Sequence, residues 1–369
     1  MSVKLIFFGD FVAVNPERLL IDDEIRSAIL DADIAVCNFE APIEGDYLAI
    51  DREGPRVNQP VDSVSFIENL GFNVVQLANN HMVDYGEEGC RATLKSFKKA
   101  MTLGVGTFEE AYKVKVLDIN GLKIGFLACV HHEFGVLENN NKPEMLGTAW
   151  ICHDIICQRI IEAKTSVDFL FVLPHAGIEE IDIPLPEWRD KYHHFIDCGA
   201  DCIIGTHPHV PQGWEEYNSK MIFYSLGNFY FDYLKGDHPF WDKSLMLQLE
   251  VSEKRKMTYH VGNVCFEDYR IFKDNSQSTI SHNEEICSVL QNEVKYKEQY
   301  DLIAVQKWYG YQNLLVRGLG AVSGKLHFTD FIKSIYFSVF KGRQKSLFQN
   351  CLQCESHRWM ILRAQNLVK

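Results

Sequence analysis

A chain of 369 residues is long enough for two domains, or for one large α/β domain with an appendage. Its 46% hydrophobic and 24% charged residues are those of an ordinary globular protein, which sets aside fibrous and disordered classes. A formal net charge of −13 excludes a generic nucleic-acid binder, which needs a basic surface against phosphates, and disfavours an anionic membrane surface as partner.

No apolar run approaches the ~20 residues of a membrane-spanning helix. The longest, such as Lys123–Val130 and Val167–Leu173, have strand length. The opening MSVKLIFFGD has only four apolar residues before Gly9-Asp10, too few for a secretory signal, so a cytoplasmic location is expected. Eleven cysteines, several inside apolar runs (Cys37, Cys129, Cys202, Cys265), fit a reduced compartment better than a disulfide framework. Cys351-Leu-Gln-Cys354 is a C-x-x-C without a second pair; zinc sites usually need four ligands, so the motif alone defines none.

In chain order, the first strand is predicted at Val3–Phe8 and ends at Asp10. A helix over Pro16–Asp31 leads to a strand at Ile34–Phe39, which delivers Asn38 and Glu40. After a helix at Pro60–Leu70, the strand Val74–Ala78 runs into Asn79, Asn80 and His81 and is followed by a helix over Glu87–Ala100. Asn120-Gly121, between strands Lys113–Ile119 and Lys123–Cys129, is a type I′ hairpin signal. A helix at His153–Thr165, a strand at Phe169–Pro174 ending on His175, and a helix at Glu187–Cys198 continue the alternation. Strands Cys202–Gly205 and Met221–Ser225 end near His207-Pro-His209 and Asn228. Alternation of this kind predicts βαβ units, and the hairpin makes the sheet mixed.

Strands Ser244–Val251 and Met257–Val264 should form an antiparallel addition across a charged turn. Asp274–Ser281 is polar and reads as a linker; from about Asn283 to Lys369 the pattern is helical, interrupted near Gly318–Gly324. The expected organisation is a domain over 1–272, a linker over 273–282 and a helical region over 283–369.

Ligands of α/β sheets bind beyond the carboxyl ends of strands. Six predicted strand ends deliver Asp, Glu, Asn or His, ligand types for a hard or borderline divalent ion. Taken singly, Asp10 reads as a helix cap, Asn79 and Asn80 as turn or N-cap residues, and His175 as either a hydrogen-bonded core histidine or a ligand. Their recurrence at successive strand ends, with two histidines flanking Pro208, points to a metal site. No G-x-S-x-G elbow, P-loop or G-x-G-x-x-G competes.

The ordered series Gly9-Asp10, Asn38-Phe-Glu40, Ala78-Asn-Asn80-His81, His175, Gly205-Thr-His207-Pro-His209 and Ser225-Leu-Gly-Asn228-Phe229 resembles the CapA family of capsule and poly-γ-glutamate synthesis proteins, within the calcineurin-like metallophosphoesterase superfamily. The resemblance runs from about residue 3 to about residue 232. It implies an α/β fold, a four-layer α/β/β/α metallophosphatase-like sandwich with mixed sheets, followed here by a C-terminal helical appendage. It also implies two divalent metal ions (Mn, Zn or Fe), Asp10 and His209 holding one, Asn80, His175 and His207 the other, and Glu40 bridging. His81 would be the general acid, with Asp84 either orienting it or capping a helix. Asn38, Asn79, Glu179 and Asn228 are candidates for substrate contact, and His131 and His132 could line the same edge.

Val12 stands where the wider superfamily has a histidine, which leaves the first metal few protein ligands. The implied activity is hydrolysis of a phosphoester in capsule, exopolysaccharide or poly-γ-glutamate metabolism, with a metal-bridging hydroxide as nucleophile. A γ-glutamyl amide hydrolase or transferase on the same metals, and a non-catalytic accessory of polymer synthesis, are the alternatives. The partners implied are an anionic or polymeric cell-surface substrate and the polymer-synthesis machinery.

Overall fold

A computed structural model of the chain describes residues 1–52, 54–318 and 349–368. Two mixed sheets stack face to face. In the nine-stranded first sheet, the central strand Ser2–Val12 pairs in parallel with Ile34–Phe39 and antiparallel with Lys243–Ser252. Asn228–Phe231 pairs in parallel with its far end. In the six-stranded second sheet, Phe169–His175 lies between the parallel strands Leu122–Val130 and Cys202–Ile204.

The two-residue period of a strand decides the layers. Val3, Leu5 and Phe7 point into the core between the sheets, where they meet Phe126, Phe171 and Leu173. The Phe7 and Phe171 rings are 5.6 Å apart. Ile6 and Phe8 turn the other way, under the helices Asp23–Leu30 and Asp62–Leu70. Leu170 and Val172 likewise face outward, against the helices Ile155–Lys164 and Pro186–Cys198. A sheet apolar on both faces must be covered on both, and four layers, α/β/β/α, result.

The C-terminal region is helical, as expected. Gln277–Leu290, Glu293–Gly318 and Glu355–Leu367 extend the outer layer of the second sheet. Tyr300, Ala304, Met360 and Ala364 share one core with Trp188 and Tyr192. Arg189 fastens the join, donating to Glu293 at 2.6 Å and to the Leu290 carbonyl at 3.0 Å. Of the interruption expected near Gly318–Gly324, residues 319–324 lie outside the described residues. No helix among the described residues is long and apolar enough to cross a membrane.

Three expected elements differ. Pro16–Asp31 is not one helix: a 3₁₀ turn over Pro16–Arg18 and a short strand Leu20–Ile21 precede the helix at Asp23, because Ile21 pairs with Ile271. The helix after the Asn-Asn-His turn stops at Ser96, where Glu68 Oε1 captures the backbone N–H groups of Lys98, Lys99 and Ala100. The polar stretch expected to link instead starts a helix at Gln277, with Ser276 as its N-cap accepting from the Thr279 N–H. The Asn120-Gly121 hairpin forms with both residues left-handed, φ +54° and +79°, as a type I′ turn requires.

Candidate metal centre

The carboxyl ends of strands from both sheets meet along one edge. Asp10 stands in register with Asn38 on one neighbouring strand and with Asn228 on the other. Gly9 lets these backbones close: a Cβ there would lie 1.7 Å from the Gly227 carbonyl oxygen. Across the sandwich, a Cβ on Gly205 would lie 2.1 Å from the Tyr224 carbonyl oxygen, and the chain then runs into Thr206-His207-Pro208-His209. His207 and His209 both adopt left-handed backbone, φ +101° and +61°, at a cost of about 1–3 kcal/mol each. The turn is held by the His207 N–H on Asp10 Oδ2 (3.2 Å) and the Glu180 N–H on the Pro208 carbonyl (2.9 Å). Strain of this kind persists where it aims side chains.

Those side chains form two buried donor sets. Asp10, Glu40 and His209 make one; Glu40, His175 and His207 make the other, with ligand atoms within 4.8 Å of one another in each. Glu40 belongs to both. Its Oε1 lies 3.7 Å from His175 Nε2 and 3.7 Å from His209 Nε2, is fully buried, and has no hydrogen-bond partner among the described residues. Asn80 Oδ1 is 3.0 Å from His175 Nε2, beside the second set. Burial, reinforced by the neighbouring Asp10, pushes the Glu40 carboxyl well up, and burial raises Asp10. Burial pushes the His175 and His207 imidazoles well down, leaving them neutral. Two desolvated carboxyls with an orphaned oxygen, facing neutral imidazoles, suit divalent cations.

The ring nitrogens are sorted by further contacts. His209 Nδ1 meets Asn228 Oδ1 at 2.9 Å, and His175 Nδ1 meets Thr206 Oγ1 at 2.9 Å; each leaves Nε2 toward Glu40. Asn38 Nδ2 braces the carboxylates, 2.7 Å from Asp10 Oδ1 and 3.3 Å from Glu40 Oε2.

His81 stands apart from both sets. Its Nδ1 lies 2.7 Å from Asp84 Oδ2, and the ring borders a cavity of about 440 Å³ shared with Asn80, His207, Arg52, Glu133 and Glu179. Asp84 is fully buried, accepts from the Val57 N–H at 2.8 Å and forms an ion pair with Arg52. Arg52 continues to Glu133 Oε2 at 3.3 Å and to the Asn80 carbonyl at 2.9 Å.

The structure therefore brings Asp10, Glu40, Asn80, His175, His207 and His209 together, with His81 and Asp84 beside them. Asp84 does not cap the following helix, whose N-cap is Tyr85. Glu179 lines the cavity. Asn38, Asn79 and Asn228, expected at the substrate, are buried beside the donor sets: Asn79 donates to the Phe39 carbonyl at 2.9 Å, and Asn228 meets His209 and the Trp241 carbonyl. His131 packs 4.3 Å from the His207 ring, whereas His132 turns to Glu138. Sequence reading missed Arg52 and Glu133. Arg52 sits in an aperiodic loop, and no pattern marks it before the chain folds back.

A family profile described as bacterial capsule synthesis protein PGA_cap matches residues 18–233, a span that takes in every residue of the two donor sets except Asp10. The chain is 33% identical over 214 residues to the capsule biosynthesis protein CapA of Bacillus anthracis, covering 55% of this chain and 51% of that one. It is 33% identical over 208 residues to the PGA biosynthesis protein CapA of Bacillus subtilis, covering 54% of each. A probable polyglutamine synthesis accessory protein of Mycobacterium tuberculosis is 25% identical over 243 residues, covering 60% of this chain and 62% of its own. The chain spans about half the length of the two CapA proteins it matches. Among solved structures, the calcineurin-like phosphoesterase YfkN from Bacillus subtilis aligns over 80% of this chain and 99% of its own, with TM-score 0.43 and 13% identity.

Proposed function

Since the chain belongs to the bacterial capsule synthesis protein family PGA_cap, we propose that it is a metal-dependent hydrolase that cleaves a phosphoester in the metabolism of a capsule, exopolysaccharide or poly-γ-glutamate. The observation that carries this reading is Glu40, shared by two buried donor sets, the second of which reaches through His207 the cavity that His81 also lines. Asp10, Glu40 and His209 would hold one divalent ion, and Glu40, Asn80, His175 and His207 a second; Mn, Zn and Fe all accept such a mixed N/O set. Two bound ions neutralise a phosphoryl group and make water nucleophilic near neutral pH.

The chain's own groups do the rest. The hydrogen bond from His81 Nδ1–H to Asp84 fixes the ring and leaves Nε2 to carry a proton to the departing oxygen, typically worth ~10²–10⁴-fold. Arg52, by pairing with Asp84 and Glu133, holds the loop bearing Asn80 and His81 against the cavity. Glu179 borders that cavity and is placed to touch the substrate.

A γ-glutamyl amide is the second reading, favoured by the naming of the Bacillus subtilis relative for PGA biosynthesis. An accessory role, suggested by the mycobacterial relative's name, is weakened by the intact His81–Asp84 pair beside a full donor set. The test is a parallel assay of Mn²⁺-loaded protein on bis-p-nitrophenyl phosphate and γ-glutamyl p-nitroanilide. Turnover of the first, lost in His81→Ala at unchanged metal content, supports the proposal; turnover of the anilide alone replaces it with the amide reading. Inactivity on both with two ions bound would sink hydrolysis of either bond class and favour the accessory role.

A further inference from the structure

In the fold, Cys354 of the Cys351-Leu-Gln-Cys354 motif meets residues distant in sequence. We propose that Cys354, His131 and Glu133 form a third cation site, sharing no ligand with the Glu40-centred sets, which takes a borderline divalent ion such as zinc and ties the C-terminal helices to the cavity wall.

The three ligand atoms lie within 4.8 Å of one another, and all three residues are buried. Glu133 spends Oε2 on Asn80 Nδ2 (3.1 Å) and Arg52 (3.3 Å), which leaves Oε1 for another partner. His131 Nε2 points at that oxygen from 3.8 Å. His131 is 1% exposed, yet this nitrogen has no hydrogen-bond partner among the described residues. A buried nitrogen left unmatched is destabilising unless something fills the gap.

The remaining contacts preorganise the set. Ser356 Oγ meets His131 Nδ1 at 3.1 Å and accepts from Trp188 Nε1 at 2.9 Å, so the ring is held with Nε2 inward. Cys354 Sγ lies 3.9 Å from His131 Nδ1 and within 4.8 Å of the set's other ligand atoms. His357 stands beside the three and would serve as a fourth ligand: its Nδ1 meets the Tyr311 hydroxyl at 2.8 Å, and its Nε2 is 4.0 Å from Glu133 Oε1. One thiolate, two imidazoles and a carboxylate are ligands of the zinc type, and bonds of about 2.0–2.3 Å need the observed gaps to close only slightly. Binding would release the Cys354 thiol proton to solvent. The ligands come from two distant segments, so the ion would join them, as an internal clip does.

Cys157, His194 and Cys198 form the other thiol-bearing cluster among the described residues, but they are half-buried or exposed, and no buried unmatched donor faces them. They are removed as a background in the test. Cys157→Ser/Cys198→Ser protein, loaded with Co²⁺, should show a thiolate-to-cobalt charge-transfer band. Adding Cys354→Ser should abolish the band and lower bound metal by one ion per chain. Should Cys354→Ser fail to fold, His131→Gln is titrated instead, and at least tenfold more Co²⁺ should be needed to develop the band. No band at full metal loading, or a band that survives Cys354→Ser, overturns the proposal. Because the readout is spectroscopic, a band without hydrolytic turnover would count against the proposed activity and not against this site.

Discussion

His81 Nδ1 lies 2.7 Å from Asp84 Oδ2, and the same carboxylate is ion-paired with Arg52. Asp84 therefore acts through His81 as a positioning residue. Asp84→Asn keeps the shape but can no longer hold the Nδ1–H tautomer unambiguously. Turnover should fall by about 10–100-fold while the metal content, measured by elemental analysis, is unchanged. An unchanged rate would show that the histidine needs no such partner.

His207→Ala should lower the metal content and the thermal stability together. Ions that bind only the folded chain stabilise it, by about 2.7 kcal/mol at a hundredfold excess over Kd. The melting temperature of the variant should accordingly lose most of its response to added Mn²⁺ or Zn²⁺. Full metal content in His207→Ala would refute its assignment as a ligand.

Gly9 is fixed by proximity, since a Cβ would sit 1.7 Å from the Gly227 carbonyl oxygen. Backbone cannot swing aside as a flexible side chain can, and Asp10 N donates to that carbonyl at 3.0 Å. Gly9→Ala should destabilise by about 3 kcal/mol or more and displace Asp10 from Asn228. Chemical denaturation measures the first effect, and reduced metal content reports the second.

Glu215 sets a pH dependence away from the metal ligands. Burial by itself would raise its carboxyl, but hydrogen bonds from His193, Arg189 and Tyr224 outweigh it and bring it from the ordinary 4.5 down to about 2. A depressed acid contributes stability that is complete above about pH 4.5 and is lost as pH falls toward 2. Glu215→Gln should be less stable than wild type at neutral pH by roughly 2–3 kcal/mol, with the two converging near the acid end. Urea midpoints measured across that range decide it; a constant gap would mean that the carboxylate's charge is not what stabilises.

The amino-acid sequence by itself determined which residue types gather at the edge of the sheets. Asp10, Glu40, Asn80, His175, His207 and His209 were legible because each follows an apolar run that can only be a buried strand, and strand ends of one sheet system face one crevice. The strand pattern also announced a mixed sheet, through Asn120-Gly121. Only the tertiary structure decided what surrounds those residues. Asn38, Asn79 and Asn228 read as substrate contacts, since a strand-end amide is the same residue whether it braces or binds; the fold adds the hydrogen bonds by which they hold Asp10, the Phe39 carbonyl and His209. Arg52 and Glu133 carry no local pattern, and the C-x-x-C at Cys354 and the strand end at His131 do not show locally that they meet, because that depends on a loop and a C-terminal helix folding onto residues up to 223 positions away. Period and turn chemistry act over a few residues, whereas the partners of a buried charge are chosen by packing across the whole chain.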